Sequence, residues 1–338
     1  MTSNTNSKVV KLPHINVNFT FISDSHLSAV PPGTRRRDDY ATAILNKFEF
    51  VRELTEKIQG VCLHGGDFWH IKTPRSPANN LSIICRAIRC LSKFPTGCIY
   101  TTPGNHDLSH DSLGSLPHQP LGILMAAGVC HDLSVTSVIF ENSDGSVRVQ
   151  VEAFSYADES VTMARLLASG PRIPGCYRVG IVHSYGSPKS HSLWGIDTLG
   201  YDQLMDLDYD FLLWGHDHSR EETITVGNVT HVRLGSLSRA SLSTDEVDRP
   251  VSAAVISFTT EGIKYQERRI PVKPLELAFV TADHNLANVA KLDEITTFFS
   301  DMDQAVSGIE STDPRNIIQS LTAEDPALTQ MIFELCEL

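Results

Sequence analysis

Val17-Asn18-Phe19-Thr20-Phe21-Ile22-Ser23-Asp24-Ser25-His26 is an apolar, β-rich run that breaks into an acid and an imidazole two residues apart. On an extended chain residues i and i+2 share a face, so these two side chains can act together. The same plan returns four times. Residues 61–63 run into Gly65-Gly66-Asp67, and residues 98–102 into Pro103-Gly104-Asn105-His106-Asp107. Residues 179–182 run into His183, and residues 211–214 into Gly215-His216-Asp217-His218. Helical patterns over residues 40–58, 78–91 and 121–127 lie between them. Strand–helix alternation with polar residues at the carboxyl ends of strands is where open α/β sheets place their ligands. A second set of strand-like runs (147–154, 223–234 and 251–257) has hairpin-like spacing and is expected to form a partner sheet. The predicted fold class is α/β: a two-sheet β-sandwich, sheets face to face, flanked by helices.

The bulk numbers agree with a globular chain. At 338 residues there is room for one large domain and a smaller appendage, and 41% apolar with 20% charged residues is ordinary for a soluble protein. No run reaches the eighteen apolar residues of a membrane span, and the polar N-terminus lacks a secretory pattern. The seven cysteines are odd in number, scattered and free of C-x-x-C spacing, which argues against a disulfide framework and a zinc knuckle. These features predict a reducing cytoplasm. The net charge of −12 is uneven: residues 271–338 hold 12 acidic and 3 basic side chains. The remaining 28 acidic and 25 basic side chains nearly balance, so two bound divalent cations would make residues 1–270 slightly positive. No broad basic surface is predicted, which weakens tight non-specific DNA binding by the chain alone. Residues 1–270 are read as the main domain. Residues 271–338 are read as an acidic, mainly helical tail, with a linker at Pro271-Val272-Lys273-Pro274. Amphipathic helices are expected over 287–299 and 326–335, with a helix start at Asp313-Pro314.

Asp, Asn and His are hard or borderline donors, suited to Mn²⁺, Fe²⁺, Zn²⁺ or Mg²⁺ rather than to a thiolate site. One D-x-H or H-x-H is weak evidence. Five clusters, each behind a predicted strand, are strong evidence against scattered polar residues. The pattern resembles the calcineurin-like metallophosphoesterases: D-x-H, G-D, G-N-H-D, H and G-H-x-H all occur in order. The resemblance implies a four-layer αββα fold and a pair of divalent cations, Mn²⁺ foremost. It implies Asp24, His26, Asp67 and His218 around one ion. Asp67 would bridge to the second, completed by Asn105, His183 and His216. Two such ions polarise a phosphoryl group and ionise a water for in-line attack. By the same resemblance His106 contacts the phosphate and protonates the leaving oxygen, with Asp107 orienting its imidazole. A histidine that only positions ligands is the bland reading.

The branch is narrower ground. Protein Ser/Thr phosphatases follow G-D with Asp-Arg-Gly, whereas this chain has Phe68-Trp69-His70. Leu63-His64-Gly65-Gly66-Asp67-Phe68-Trp69-His70 is similar to a block of the SbcD-type DNA repair nucleases, in which the last histidine belongs to the nuclease site. Arg233-Leu234-Gly235-Ser236 through Ser241 resembles that family's P-G-S-x-x-x-x-S strand, with Leu234 in place of Pro. Arg249-Pro250-Val251 fits the end of the nuclease domain. This likeness implies a nuclease acting on DNA ends or single strands, with His70 catalytic or capping a loop. It also implies an SbcC-like SMC-family ATPase as partner and allows a homodimer. The 68 residues after 270 are too few for both the capping domain and the docking segment of that family. Arg35-Arg36-Arg37 is read either as a phosphate contact or as a solvated run offset by Asp38 and Asp39. Lys189 and His191 sit in a loop that would wall the substrate. The rival functions are a small-molecule phosphodiesterase or phosphomonoesterase, and a catalytically weak scaffold.

Overall fold

The computed structural model describes residues 7–279, apart from 33–35, 37, 190, 191, 194, 195 and 243. Strand β1 (Lys8–Lys11) lies at a sheet edge, and β2 (Val17–Ile22) is central to the other sheet. Every residue of β2 is buried, but its faces differ. Val17, Phe19 and Phe21 enter the core between the sheets. Asn18 and Thr20 turn the other way, toward helix α1 (Tyr40–Lys57). There the Thr20 and Thr55 hydroxyls bond at 2.7 Å and Asn18 donates to the Ile58 carbonyl at 2.6 Å. Burial therefore leaves neither polar side chain unpaired. Helix α1 starts at Asp39, whose carboxylate accepts the Thr42 N–H at 3.0 Å. It buries Ile44, Phe48 and Val51, an i, i+4, i+7 stripe.

The chain then repeats the unit. Strand β3 (Val61–His64), helix α2 (Leu81–Leu91), strand β4 (Ile99–Thr101), helix α3 (Pro120–Ala126) and strand β5 (Cys130–Asp132) follow. Strands β2, β3, β4 and β5 are parallel neighbours in that order. The second sheet uses β6 (Val138–Glu141), β7 (Arg148–Phe154), β8 (Tyr177–His183), β9 (Phe211–Gly215), and the hairpin β10 (Ile224–Val226) and β11 (Val229–Val232). Its order is β1-β6-β7-β8-β9-β11-β10, and β7, β8, β9 and β11 run parallel. Helix α4 (Glu159–Leu167) covers its outer face, where Leu166 packs with Val182, Leu212 and Trp214. Helices α1, α2 and α3 cover the other sheet through Phe48, Ile83 and Leu121. Between the sheets lies a core of Phe19, Phe21, Leu63, Val151, Ile181 and Leu213. The arrangement is the expected sandwich with helices outside.

The expected partner sheet is not how the strands divide. Residues 148–154 and 224–232 share a sheet with β8 and β9, two of the strands that end in polar clusters. Strand β12 (Ser252–Thr259) instead pairs antiparallel with β2, and β13 (Gly262–Arg269) flanks it. Packing explains the choice: Ala254, Ile256 and Phe258 complete the inter-sheet core, with the Phe258 ring 5.8 Å from that of Phe19. Strand pairing of this range carries no local signal. Pro274 precedes a short helix, Leu275–Ala278, and the helices expected at 287–299 and 326–335 fall outside the described residues. Among the described residues no helix is long and apolar enough to cross a membrane, and six cysteines are free thiols.

Candidate metal centre

The parallel strands place five loops at one edge. Asp24 and His26 follow β2, Asp67 and His70 follow β3, and Asn105, His106 and Asp107 follow β4. From the other sheet His183 ends β8, while His216 and His218 follow β9. Both sheets therefore contribute to one cluster. The loops after β2 and β3 are zipped together: Asp24 N–H donates to the Gly66 carbonyl at 3.0 Å and His26 N–H to the Asp67 carbonyl at 3.1 Å. The turns are sharp. Asp24, His26, Asp67 and His216 have φ of 52°, 44°, 51° and 89°. Such left-handed backbone is uncommon for residues with a side chain and is held only where the surroundings impose it. At Gly104 a Cβ would fall on the Asp67 carboxylate, so the G-N-H-D turn needs glycine for close approach.

All seven predicted ligands converge, in two groups. Asp24, His26 and His218 offer donor atoms within 4.8 Å of one another, and so do Asp67, His183 and His216. The His26 and His218 Nε2 atoms are 2.8 Å apart. Asn105 joins the second group, its Oδ1 lying 3.0 Å from His216 Nδ1 and 3.4 Å from His183 Nε2. Asp67 spans the two: Oδ1 is 3.4 Å from His183 Nε2, and Oδ2 is 3.8 Å from His26 Nε2. A third group, His26, His70 and His106, lies alongside.

The electrostatics suit divalent cations. Burial alone would raise the Asp67 carboxyl, but His183 and His26 beside it outweigh that and hold it well below the usual range. Burial, then repulsion from His183, pushes His216 down to about 3 and so keeps it neutral, the form a metal requires. His183 is opposed by burial but lifted to about 9 by the Asp67 and Asp24 carboxylates, so these carboxylates favour positive charge there and a bound cation would displace the His183 proton. Two buried carboxylates among close imidazole nitrogens make an oxygen–nitrogen donor set that fits divalent cations and lacks any thiolate.

His106 and Asp107 differ from expectation in one respect. His106 N–H donates to Asp67 Oδ1 at 2.8 Å, and its ring Nδ1 meets the His70 carbonyl at 2.7 Å. A carbonyl only accepts, so Nδ1 carries the proton and Nε2 is left for other partners. Asp107 does not orient that ring. Its two oxygens accept the N–H groups of Phe68, Trp69 and Gly104 at 3.1, 3.2 and 3.1 Å. It clamps the β3 and β4 loops together, and the orienting group is the His70 backbone. The His70 ring itself stacks on His106 at 5.8 Å, with its Nδ1 unpartnered among the described residues.

Three other residues were not singled out as members of the site. His64, fully buried, bonds the Ser25 hydroxyl at 3.0 Å. Ser236 donates to the Asp24 carbonyl at 2.9 Å, which gives the Gly235-Ser236 turn a structural role. Glu246 approaches His218 Nδ1 at 3.5 Å. Only Ser236 carried a sequence signal. Arg36 is neither a phosphate contact nor solvated: it pairs with Asp38 at 2.7 Å and packs between the Tyr40 and Phe279 rings. Arg35, Arg37 and His191 lie outside the described residues.

An αββα sandwich with a bimetal-type ligand cluster at one edge defines the class. Residues 17–220 match the calcineurin-like phosphoesterase family, and the chain belongs to that family. No curated protein matches. Among solved structures the chain is similar to a candidate 5′-nucleotidase from Staphylococcus aureus, with 14% identity, a TM-score of 0.48, and 82% of this chain and 58% of that chain covered. It is also similar to the calcineurin-like phosphoesterase YfkN from Bacillus subtilis, with 12% identity, a TM-score of 0.46, and 78% and 95% coverage. A third is the NAD nucleotidase of Haemophilus influenzae, with 15% identity, a TM-score of 0.42, and 83% and 56% coverage. The chain thus spans little more than half of the first and third of these proteins.

Proposed function

We propose that this chain hydrolyses small phosphoesters, with Asp24, His26 and His218 holding one divalent cation and Asn105, His183 and His216 a second. Asp67 is shared between them. The observation that carries this reading is that Asp67 presents one oxygen to each histidine group. Bound there, two cations supply charge for the phosphoryl oxygens and a water ionised near neutral pH. The chain's own residues do the rest. The Asp67 carboxylate, which accepts the His106 backbone N–H, and the His70 carbonyl, which accepts the ring Nδ1–H, fix His106 from two sides, so that its Nε2 can meet the ester oxygen and hand it a proton. His70 lines the same corner as His26 and His106 and confines the phosphate.

The choice of a small substrate over a polynucleotide rests on charge. Arginines near the centre are engaged within the protein: Arg233 with Asp217 at 3.2 Å, Arg220 with Glu267 at 3.0 Å, and Arg239 with the Lys273 carbonyl at 2.6 Å. Around Tyr156, which packs on His216, stand the carboxylates of Asp111, Asp158 and Glu159; burial first and then these charges push its hydroxyl up. Such a rim tolerates one phosphate over the cations but opposes a run of them.

The test offers Mn²⁺-loaded protein mono-aryl phosphate, bis-aryl phosphate, single-stranded DNA and blunt duplex DNA. Turnover of an aryl phosphate that His106→Ala abolishes, with DNA left intact, supports the reading. DNA cleavage lost in His106→Ala replaces it with the nuclease, and bound metal without turnover replaces it with a binding scaffold.

A further inference from the structure

The imidazoles of the cluster are steadied by different partners. His183 Nδ1 meets the Gly65 carbonyl at 2.7 Å, and His216 Nδ1 faces Asn105. His26 Nδ1 has no partner among the described residues. His218 alone turns the nitrogen remote from the cluster toward a carboxylate, Glu246 Oε1 at 3.5 Å. His218 also needs more steadying than His26 or His183. Its side chain is 35% exposed, against 2% for His26 and 0% for His183, so packing does little to fix its ring.

Glu246 is itself well held. It lies in a short helix, Thr244–Val247, and is buried, with 3% exposure. Its second oxygen accepts the Ser241 N–H at 2.6 Å. The cations Arg249 and Arg239 stand near it, so a buried carboxylate is tolerable there. Arg249 is tied in turn to the Ser238 carbonyl at 3.0 Å, and Ser238 N–H to the Asp24 carbonyl at 3.2 Å. One short path therefore joins Glu246 to two members of the same ligand group.

We infer that Glu246 is a positioning residue for the Asp24–His26–His218 ion: it fixes the proton on His218 Nδ1 and so commits Nε2 to the metal. The inference rests on the ligand assignment proposed above. A carboxylate behind a ligating histidine sets its tautomer and raises its basicity, and loss of such a partner costs about 10–100-fold in metal affinity. The effect falls on one ion only, because His218 belongs to that ion's ligand group and His183, in the other group, is steadied by the Gly65 carbonyl.

Calorimetric titration of metal-free protein with Mn²⁺, beside the melting temperature of the metal-free form, tests this. Wild type takes up two ions. Glu246→Gln weakens one of them about 10–100-fold and leaves the other unchanged, and Glu246→Asp recovers part of the loss. Two unchanged affinities in Glu246→Gln overturn the inference while leaving the ligand assignment intact. So does equal weakening of both ions with a lowered melting temperature, which marks a purely structural role. No uptake by wild type overturns the assignment itself, and the inference with it. Should the variant fail to fold, ¹⁵N–¹H spectra of Zn²⁺-loaded wild type decide: an Nδ1–H tautomer at His218 supports the inference, an Nε2–H tautomer overturns it.

Discussion

The two candidate ligand groups meet at Asp67 but are built differently. The group of Asp67, Asn105, His183 and His216 is steadied largely by the frame: His183 is fully buried on the last residue of β8 and its ring is anchored to a backbone carbonyl. The group of Asp24, His26 and His218 relies on side chains and on segments far along the chain, Ser236 behind Asp24 and Glu246 behind His218. Backbone support cannot be removed without disturbing the strand; side-chain support can be removed one atom at a time. The second group is therefore the adjustable half of the centre.

The comparison breaks first at Asp67. Asp67→Ala should remove both ions and all turnover, seen as no heat in a Mn²⁺ titration; retention of either ion would show that the halves do not share a ligand. Next comes His106, which hydrogen-bonds Asp67 and sets its ring against that of His26 at 4.8 Å. His106→Ala should keep two ions and lower kcat about 10²–10⁴-fold, with KM little moved. Asp107 underpins the frame-built half. Asp107→Ala strands three buried N–H groups at about 1–3 kcal/mol apiece before relaxation, so chemical denaturation should show a loss of several kcal/mol. Ser236 is its counterpart in the adjustable half. Ser236→Ala should cost only about 1 kcal/mol of stability, and should weaken the ion at Asp24 more than the ion at His183 in the same titration.

How much of this was legible in the sequence depended on distance along the chain. The five strand-end clusters could be read because each is local: an apolar run, a turn and a donor lie within ten residues. Their convergence follows from parallel order within each sheet together with the face-to-face packing of the two sheets, and all seven candidate ligands meet. The division of strands between sheets could not be read, since the pairing of β12 with β2 joins residues more than 230 apart through core packing. Asp107 misled for a related reason. The family resemblance implied that it orients the His106 ring, whereas the turn directs the carboxylate to three backbone N–H groups. Glu246 had no motif, and its meeting with His218 depends on how residues 236–250 run past the β2 loop. Arg36 looked like a free cation because sequence shows its charged neighbours but not the two rings that enclose it.

Because ligands come from both sheets, a bound ion would fasten the sandwich along one edge in the manner of a clasp. An ion held by the native state alone adds RT ln(1 + [M]/Kd), about 2.7 kcal/mol at a hundredfold excess over Kd. That gain is not spread evenly. Chelation should speed amide exchange near Ser23, Leu63, Val182 and Trp214, at the carboxyl ends of the strands. Val17, Val61, Val179 and Phe211, at the opposite ends, should keep their protection. The catalytic edge would then be the first part of the sandwich to open when metal is scarce.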